Sequence, residues 1–196
     1  MKISSQSKKP IIAIDLDNVL ADTLGRWCKL VKERLGIKIT KDQITDPRLR
    51  NLRIGARRSV LIRLLRETWV DWQNIPILDE EAPEIIERLR SRGFKVIIIT
   101  SRTKSDDLFI SSWLKKNKIR VDDIIFLGYW RRKSEYPDLD MLIDDDAEEI
   151  RSIIKVGKVG IIYTQPWNQY EIIRGAYRIQ KLRELENILI PTSRHS

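Results

Sequence analysis

Cysteine and histidine are almost missing from this chain, with one of each in 196 residues. A single cysteine, Cys28, excludes an internal disulfide and gives no sign of an oxidising compartment. It falls on a helical pattern and reads as a small core residue. The single histidine, His195, sits in the polar C-terminal tail and reads as non-catalytic. No apolar run is long enough to span a bilayer, so no membrane partner is expected. Residues Met1 to Pro10 are polar and basic with no apolar stretch behind them, which is not the pattern of a secretory signal. The expectation is a cytoplasmic protein. Internal repeats are absent too.

Acids are scarce in one place. From Arg48 to Arg66 the sequence carries Arg48, Arg50, Arg53, Arg57, Arg58, Arg63 and Arg66 and no carboxylate. Over the whole chain 37 lysines and arginines face 28 acids, a formal charge of +9. Such a balance suits anionic substrates or polyanionic partners. Combined with abundant isoleucine and little Cys, Met or His, it equally suits a thermophile-like surface. The local run predicts a positive field around residues 48–66.

With 42% hydrophobic and 33% charged residues, the composition is that of a soluble globular chain able to bury one good core. Ile11 to Ile14, bounded by Pro10, is a short continuous apolar run and reads as a strand buried on both faces. Further strands are predicted at Lys95 to Thr100, Ile124 to Leu127, Met141 to Ile143 and Lys158 to Tyr163. Helices fit Leu24 to Leu35, capped by Asp22-Thr23 and stopped by Gly36, and a second stretch from Val60 to Trp72. They also fit Pro83 to Gly93, Ser105 to Lys116, Ala147 to Val156 and Tyr170 to Leu189. Strands alternating with helices give an α/β, doubly wound, mainly parallel five-stranded sheet. The interval between the first strand and Lys95 far exceeds what one crossover needs. The surplus is read as a small helical cap inserted after the first strand, covering 21–76, on a core made of 1–20 and 77–196.

Three groups of polar residues stand at predicted strand ends, where ligands bind in open α/β sheets. Asp15 and Asp17 follow the first strand, and two neighbouring anions there call for a cation; a hard one such as Mg²⁺ is the simplest. Thr100, Ser101 and Arg102 follow the second and offer two hydroxyls and a guanidinium to an oxyanion. Asp144, Asp145 and Asp146 follow the fourth, and acids at the end of a buried strand must be paired or bind metal. Arg131, Arg132 or Lys133 could supply the pairing cation; spacing does not choose among them.

Asp15-Leu16-Asp17, a strand ending in Thr100, Lys133, and Leu142-Ile143-Asp144-Asp145 resemble the four motifs of the haloacid dehalogenase superfamily of phosphohydrolases. Within it, Ile-Asp-Leu-Asp-Asn-Val-Leu-Ala-Asp, Thr-Ser-Arg, Leu-Ile-Asp-Asp-Asp and Thr164-Gln165-Pro166-Trp167-Asn168 resemble the 5′(3′)-deoxyribonucleotidase family. Asn18 stands where these proteins commonly have glycine, and asparagine tolerates that turn. The resemblance implies a Rossmann-like core and a Mg²⁺-dependent phosphomonoester hydrolase. Asp15 would be the nucleophile and Asp17 the acid and base. Thr100, Ser101 and Lys133 would bind the phosphoryl group. Asp15, Asp144, Asp145 and Asp17, the last through its backbone carbonyl, would hold the metal, and Asp146 would cap a helix. The implied substrate is a small phosphorylated molecule, a nucleotide, with Arg102 and Trp167 as candidate contacts. The rival reading is a nucleic-acid-binding module, or a phosphatase of polynucleotide ends, that uses the arginine-rich segment.

Overall fold

The computed structural model describes residues 8–189; His195 and most of the basic N-terminal stretch lie outside the described residues. Strands β1 (Ile11–Ile14), β2 (Lys95–Thr100), β3 (Asp123–Phe126), β4 (Met141–Asp144), β5 (Val159–Tyr163) and β6 (Tyr177–Ile179) form one parallel sheet in the order β3-β2-β1-β4-β5-β6. Buried Val and Ile on both faces explain why these runs pair as parallel strands. Ile12, Ile14, Val96, Ile98 and Ile143 face helices α3 (Ala82–Ser91) and α4 (Asp107–Lys116). Ile11, Ala13, Ile97, Ile99 and Leu142 face α5 (Ala147–Lys155). Gly160 lets α5 approach β5: a Cβ there would meet Ile150 and Ile154 side-chain carbons at 3.0 Å. No helix among the described residues is long and apolar enough to cross a membrane.

The sheet has six strands, where five were expected. The sixth comes from the segment read as a helix over Tyr170 to Leu189; only α6 (Leu185–Leu189) is α-helical there. Gly175, at φ +83°, breaks any helix through it. Tyr177-Arg178-Ile179 then runs extended, burying Ile179 and pairing with β5 along Ile161 to Tyr163. Three residues are too few for periodicity to separate strand from helix.

Between β1 and α3 run α1 (Thr23–Leu35) and α2 (Arg58–Val70). Asp22 caps α1 by accepting from the Gly25 amide at 3.2 Å, and Gly36 closes it at φ +70°. Leu24, Trp27 and Val31 of α1 pack with Ile44, Leu49, Leu61 and Leu64 in a cluster of their own, which Trp167 joins. The far end of α2 belongs elsewhere. Trp69 is buried in the main core, edge-on to Trp113 with ring centroids 6.0 Å apart.

Candidate functional site

Register brings the acids together. Ile14 of β1 pairs with Ile143 of β4, and the Asp15 amide donates to the Ile143 carbonyl at 2.9 Å. Asp15 and Asp144 therefore leave the sheet side by side, at the point where the strands on either side of β1 connect in opposite directions. Carboxylate oxygens of Asp15, Asp144 and Asp145 all lie within 4.8 Å of one another, and all three residues are buried. Of the three basic candidates, Lys133 supplies the cation: its Nζ is 2.7 Å from Asp15 Oδ1 and 2.6 Å from Asp144 Oδ2. Burial disfavours that ammonium, but the charges of Asp144 and Asp15 outweigh it and raise its pKa. One ammonium cannot balance three carboxylates. Burial, together with repulsion from Asp144 and Asp17, pushes the Asp15 carboxyl up to about 8 despite Lys133. Burial and the charges of Asp144 and Asp15 likewise raise Asp145 well above the usual carboxylate range. A close set of hard oxygen donors with an unmet negative charge fits a small divalent cation such as Mg²⁺.

Asp17 is held apart from that set. Its Oδ1 accepts from Thr23 Oγ1 at 2.6 Å, Trp69 Nε1 at 2.9 Å and an Arg102 guanidinium nitrogen at 2.9 Å. Oδ2 accepts from Arg102 Nε at 2.7 Å. Burial works against this carboxylate, yet the Arg102 charge and these hydrogen bonds outweigh it and hold the carboxyl below its usual range. The Asp17 side chain is thus not among the clustered metal-ligand candidates. Asn18, at φ +60°, makes the turn after it, accepting from the Leu24 amide through Oδ1.

Further neighbours hold these groups; of them only Asp146, expected as a helix cap, has a role in the sequence reading. Glu149 on α5 accepts the Lys133 backbone amide at 3.1 Å. Asn168 Nδ2 donates to the carbonyls of Asp145 and Tyr163. Asp146 caps α5 by accepting the Glu148 amide at 2.8 Å. Glu149 lies three residues beyond an obvious acid run, but only the packing of α5 against the 133 turn reveals it. Thr23 and Trp69 gave no local signal, because both read as ordinary helix residues.

A cavity of about 530 Å³ opens over the acids. Asp15, Asp17, Ser101, Arg102, Lys133, Asp144 and Asp145 all line it. Thr100 does not: it is buried, and its Oγ1 accepts the Arg102 amide at 3.2 Å within the turn. Arg102 is engaged bidentately by Asp17, so its expected substrate contact gives way in this arrangement to an ion pair. Trp167 needs correction as a stacking surface. It is buried away from the cavity wall, and its indole donates to Asp145 Oδ2 at 3.0 Å. The tryptophan that stands open at the cavity is Trp130, 96% exposed.

The first two arginines of the arginine-rich run are paired with acids. Arg48 pairs with Asp146 at 2.6 Å and Glu148 at 2.8 Å, and Arg50 pairs with Asp46 and Glu148. The acids absent from the local sequence arrive from α5. Arg58 and Arg66 do line the cavity, with Ile62 and Leu65 between them.

A family model described as "5′ nucleotidase, deoxy (Pyrimidine), cytosolic type C protein" matches residues 9–194. A Staphylococcus epidermidis protein named "Putative 5′(3′)-deoxyribonucleotidase" is 28% identical over 162 residues, covering 82% of this chain and 86% of its own. Among solved structures, a "Putative Phosphatase" from Clostridium difficile superposes with a TM-score of 0.68 at 20% identity, covering 94% of this chain and 100% of its own. A Bacillus subtilis "putative HAD-hydrolase" bound to magnesium gives 0.63 at 17% identity, covering 93% and 99%. At those identities the structural likeness speaks for the fold alone.

Proposed function

The chain belongs to the deoxy (pyrimidine), cytosolic type C 5′ nucleotidase family; from that premise we propose that it is a phosphatase of the haloacid dehalogenase type, hydrolysing nucleoside monophosphates through a phosphorylated Asp15. The observation that carries this reading is the convergence of Asp15, Asp144 and Asp145 within 4.8 Å at one end of β1 and β4. Asp15, Asp144 and Asp145 would hold Mg²⁺, with the Asp17 backbone carbonyl. The bound ion would offset the repulsion between an anionic nucleophile and a phosphate dianion.

The remaining chemistry belongs to the chain. An Asp15 carboxylate oxygen attacks phosphorus as the ester P–O bond breaks; the charge of the bound phosphate dianion offsets the Arg102 charge that holds Asp17 low, so that Asp17 takes up a proton in the complex and gives it to the departing oxygen. Asp17 then takes a proton from water as that water attacks the acyl phosphate. The bond from phosphorus to Asp15 breaks, inorganic phosphate leaves and the carboxylate is restored. Lys133 neutralises Asp15 and binds a phosphoryl oxygen, and Ser101 and the Thr100 turn bind others. Residues 21–76 act as a cap whose α2 closes the cavity over the substrate. The exposed Trp130 takes the stacking role that Trp167 does not fill.

A screen of nucleoside monophosphates and sugar phosphates, with and without Mg²⁺, tests the reading beside Asp15→Asn. The expected result is Mg²⁺-dependent release of phosphate from nucleotides, abolished by Asp15→Asn. Activity that survives Asp15→Asn, or none on any monoester with Mg²⁺, overturns it.

A further inference from the structure

Four buried or nearly buried indoles donate hydrogen bonds, and they do not donate alike. Trp27 and Trp113 satisfy their N–H groups on the backbone carbonyls of Leu61 and Ile75, as buried indoles ordinarily do. Trp69 and Trp167 spend theirs on carboxylates of the site, Asp17 and Asp145. Trp69 is fully buried, and its ring also lies under the Arg102 guanidinium, 5.1 Å from centroid to Cζ. It therefore touches both partners of the Asp17–Arg102 ion pair.

Counting lone pairs shows what this does. A carboxylate oxygen offers about two acceptor sites. Asp17 Oδ1 already receives three donors, from Thr23, Trp69 and Arg102, whereas Oδ2 receives only Arg102 Nε. Trp69 is itself fixed, packed against Trp113 in the main core. We propose that Trp69, with Thr23, is a positioning residue for the reaction: the two donors occupy Oδ1 and fix the carboxyl plane, leaving Oδ2 as the oxygen that exchanges the proton. The inference rests on Asp17 being the acid and base. In the first step the proton on Oδ2 passes to the ester oxygen as its bond to phosphorus breaks. In the second, water returns a proton to Oδ2 as the bond to Asp15 breaks. Without the indole donor, Thr23 alone opposes Arg102 at Oδ1, the carboxyl tilts toward the guanidinium, and proton transfer loses its alignment.

Leaving-group dependence separates this from a merely structural role. Trp69→Phe keeps an aromatic ring, at some cost in packing that the Trp113→Phe control matches, and removes one donor. Thr23→Val removes another donor from the same oxygen, and Trp113→Phe serves as a packing control. For each folded variant, kcat/KM is measured with Mg²⁺ on a nucleoside 5′-monophosphate, whose alkoxide needs a proton, and on p-nitrophenyl phosphate, whose leaving group does not. The expected result for Trp69→Phe and Thr23→Val is a loss of about tenfold or more on the nucleotide and less than about twofold on the aryl ester. Trp113→Phe should move both substrates equally. Equal losses on the two substrates in Trp69→Phe and Thr23→Val, or no loss on either, overturn the proposal. Thr23→Val carries the test if Trp69→Phe does not fold. Asp17→Asn, run alongside, must show the same bias more strongly; if it does not, the acid and base reading of Asp17 has failed rather than the positioning.

Discussion

The Lys133 ammonium stands between Asp15 and Asp144, 2.7 Å from one carboxylate and 2.6 Å from the other, almost wholly out of solvent. Removing one member of a buried charge cluster costs about 3–5 kcal/mol, because the charges left behind have no partner. Lys133→Met is therefore expected to lower urea stability by about that amount and to lower kcat by about 10²- to 10³-fold. Added Mg²⁺ should restore part of the stability but not the rate. Urea titrations with and without Mg²⁺, beside phosphate-release assays, check both halves.

Trp167 donates to Asp145 from behind and does not itself line the cavity. Trp167→Phe keeps the packing and deletes that support. A lost partner of a metal-binding carboxylate costs about 10- to 100-fold in metal affinity. The Mg²⁺ concentration for half-maximal activity should rise by that factor, while the rate at saturating Mg²⁺ stays near the parent's.

Much of this was legible in the sequence, and the reasons differ by residue. Asp15 and Asp144 could be placed because continuous apolar strands end at them, and strand ends are where open sheets bind ligands. Glu149, Thr23 and Trp69 could not, since each acts through a neighbour supplied by another element. The same holds for Arg48, whose counter-charges lie about a hundred positions away in sequence, and for the Glu148 partner of Arg50. Trp167 was placed in the right loop but faces inward, because strand ends fix a loop's location and not which way its side chains turn. The sixth strand is too short to carry a period.

Asp46 accepts the backbone amides of Arg48 and Arg50 and the Arg50 guanidinium, while Leu49 between them sits buried at φ +53°. Burial works against the Asp46 carboxylate, but these donors outweigh it and lower its pKa from 3.8. A carboxyl depressed by folding stabilises the protein above its unfolded value and loses that contribution as pH falls through the folded one. Asp46→Asn should therefore reduce stability at neutral pH and flatten the loss of stability below about pH 4. Denaturant midpoints across that acid range measure it.

Gly160→Ala would drive a methyl group to 3.0 Å from the side chains of Ile150 and Ile154. Overpacking of this kind costs about 1–3 kcal/mol. The expected variant is less stable in urea but keeps its kcat, since Gly160 pairs with Leu142, inside the sheet, and does not line the cavity.

The covalent role of Asp15 is the claim on which the rest depends, and Asp17→Asn exposes it most directly. With p-nitrophenyl phosphate and Mg²⁺, the leaving group departs without an acid, and the acyl phosphate then waits for a base that is no longer there. Rapid mixing should give a burst of nitrophenol of one equivalent per enzyme followed by slow turnover, with the phosphoryl group recovered on the peptide that carries Asp15. Steady release with no burst and no phosphorylated peptide, or a phosphoryl group found on another residue, would contradict the account.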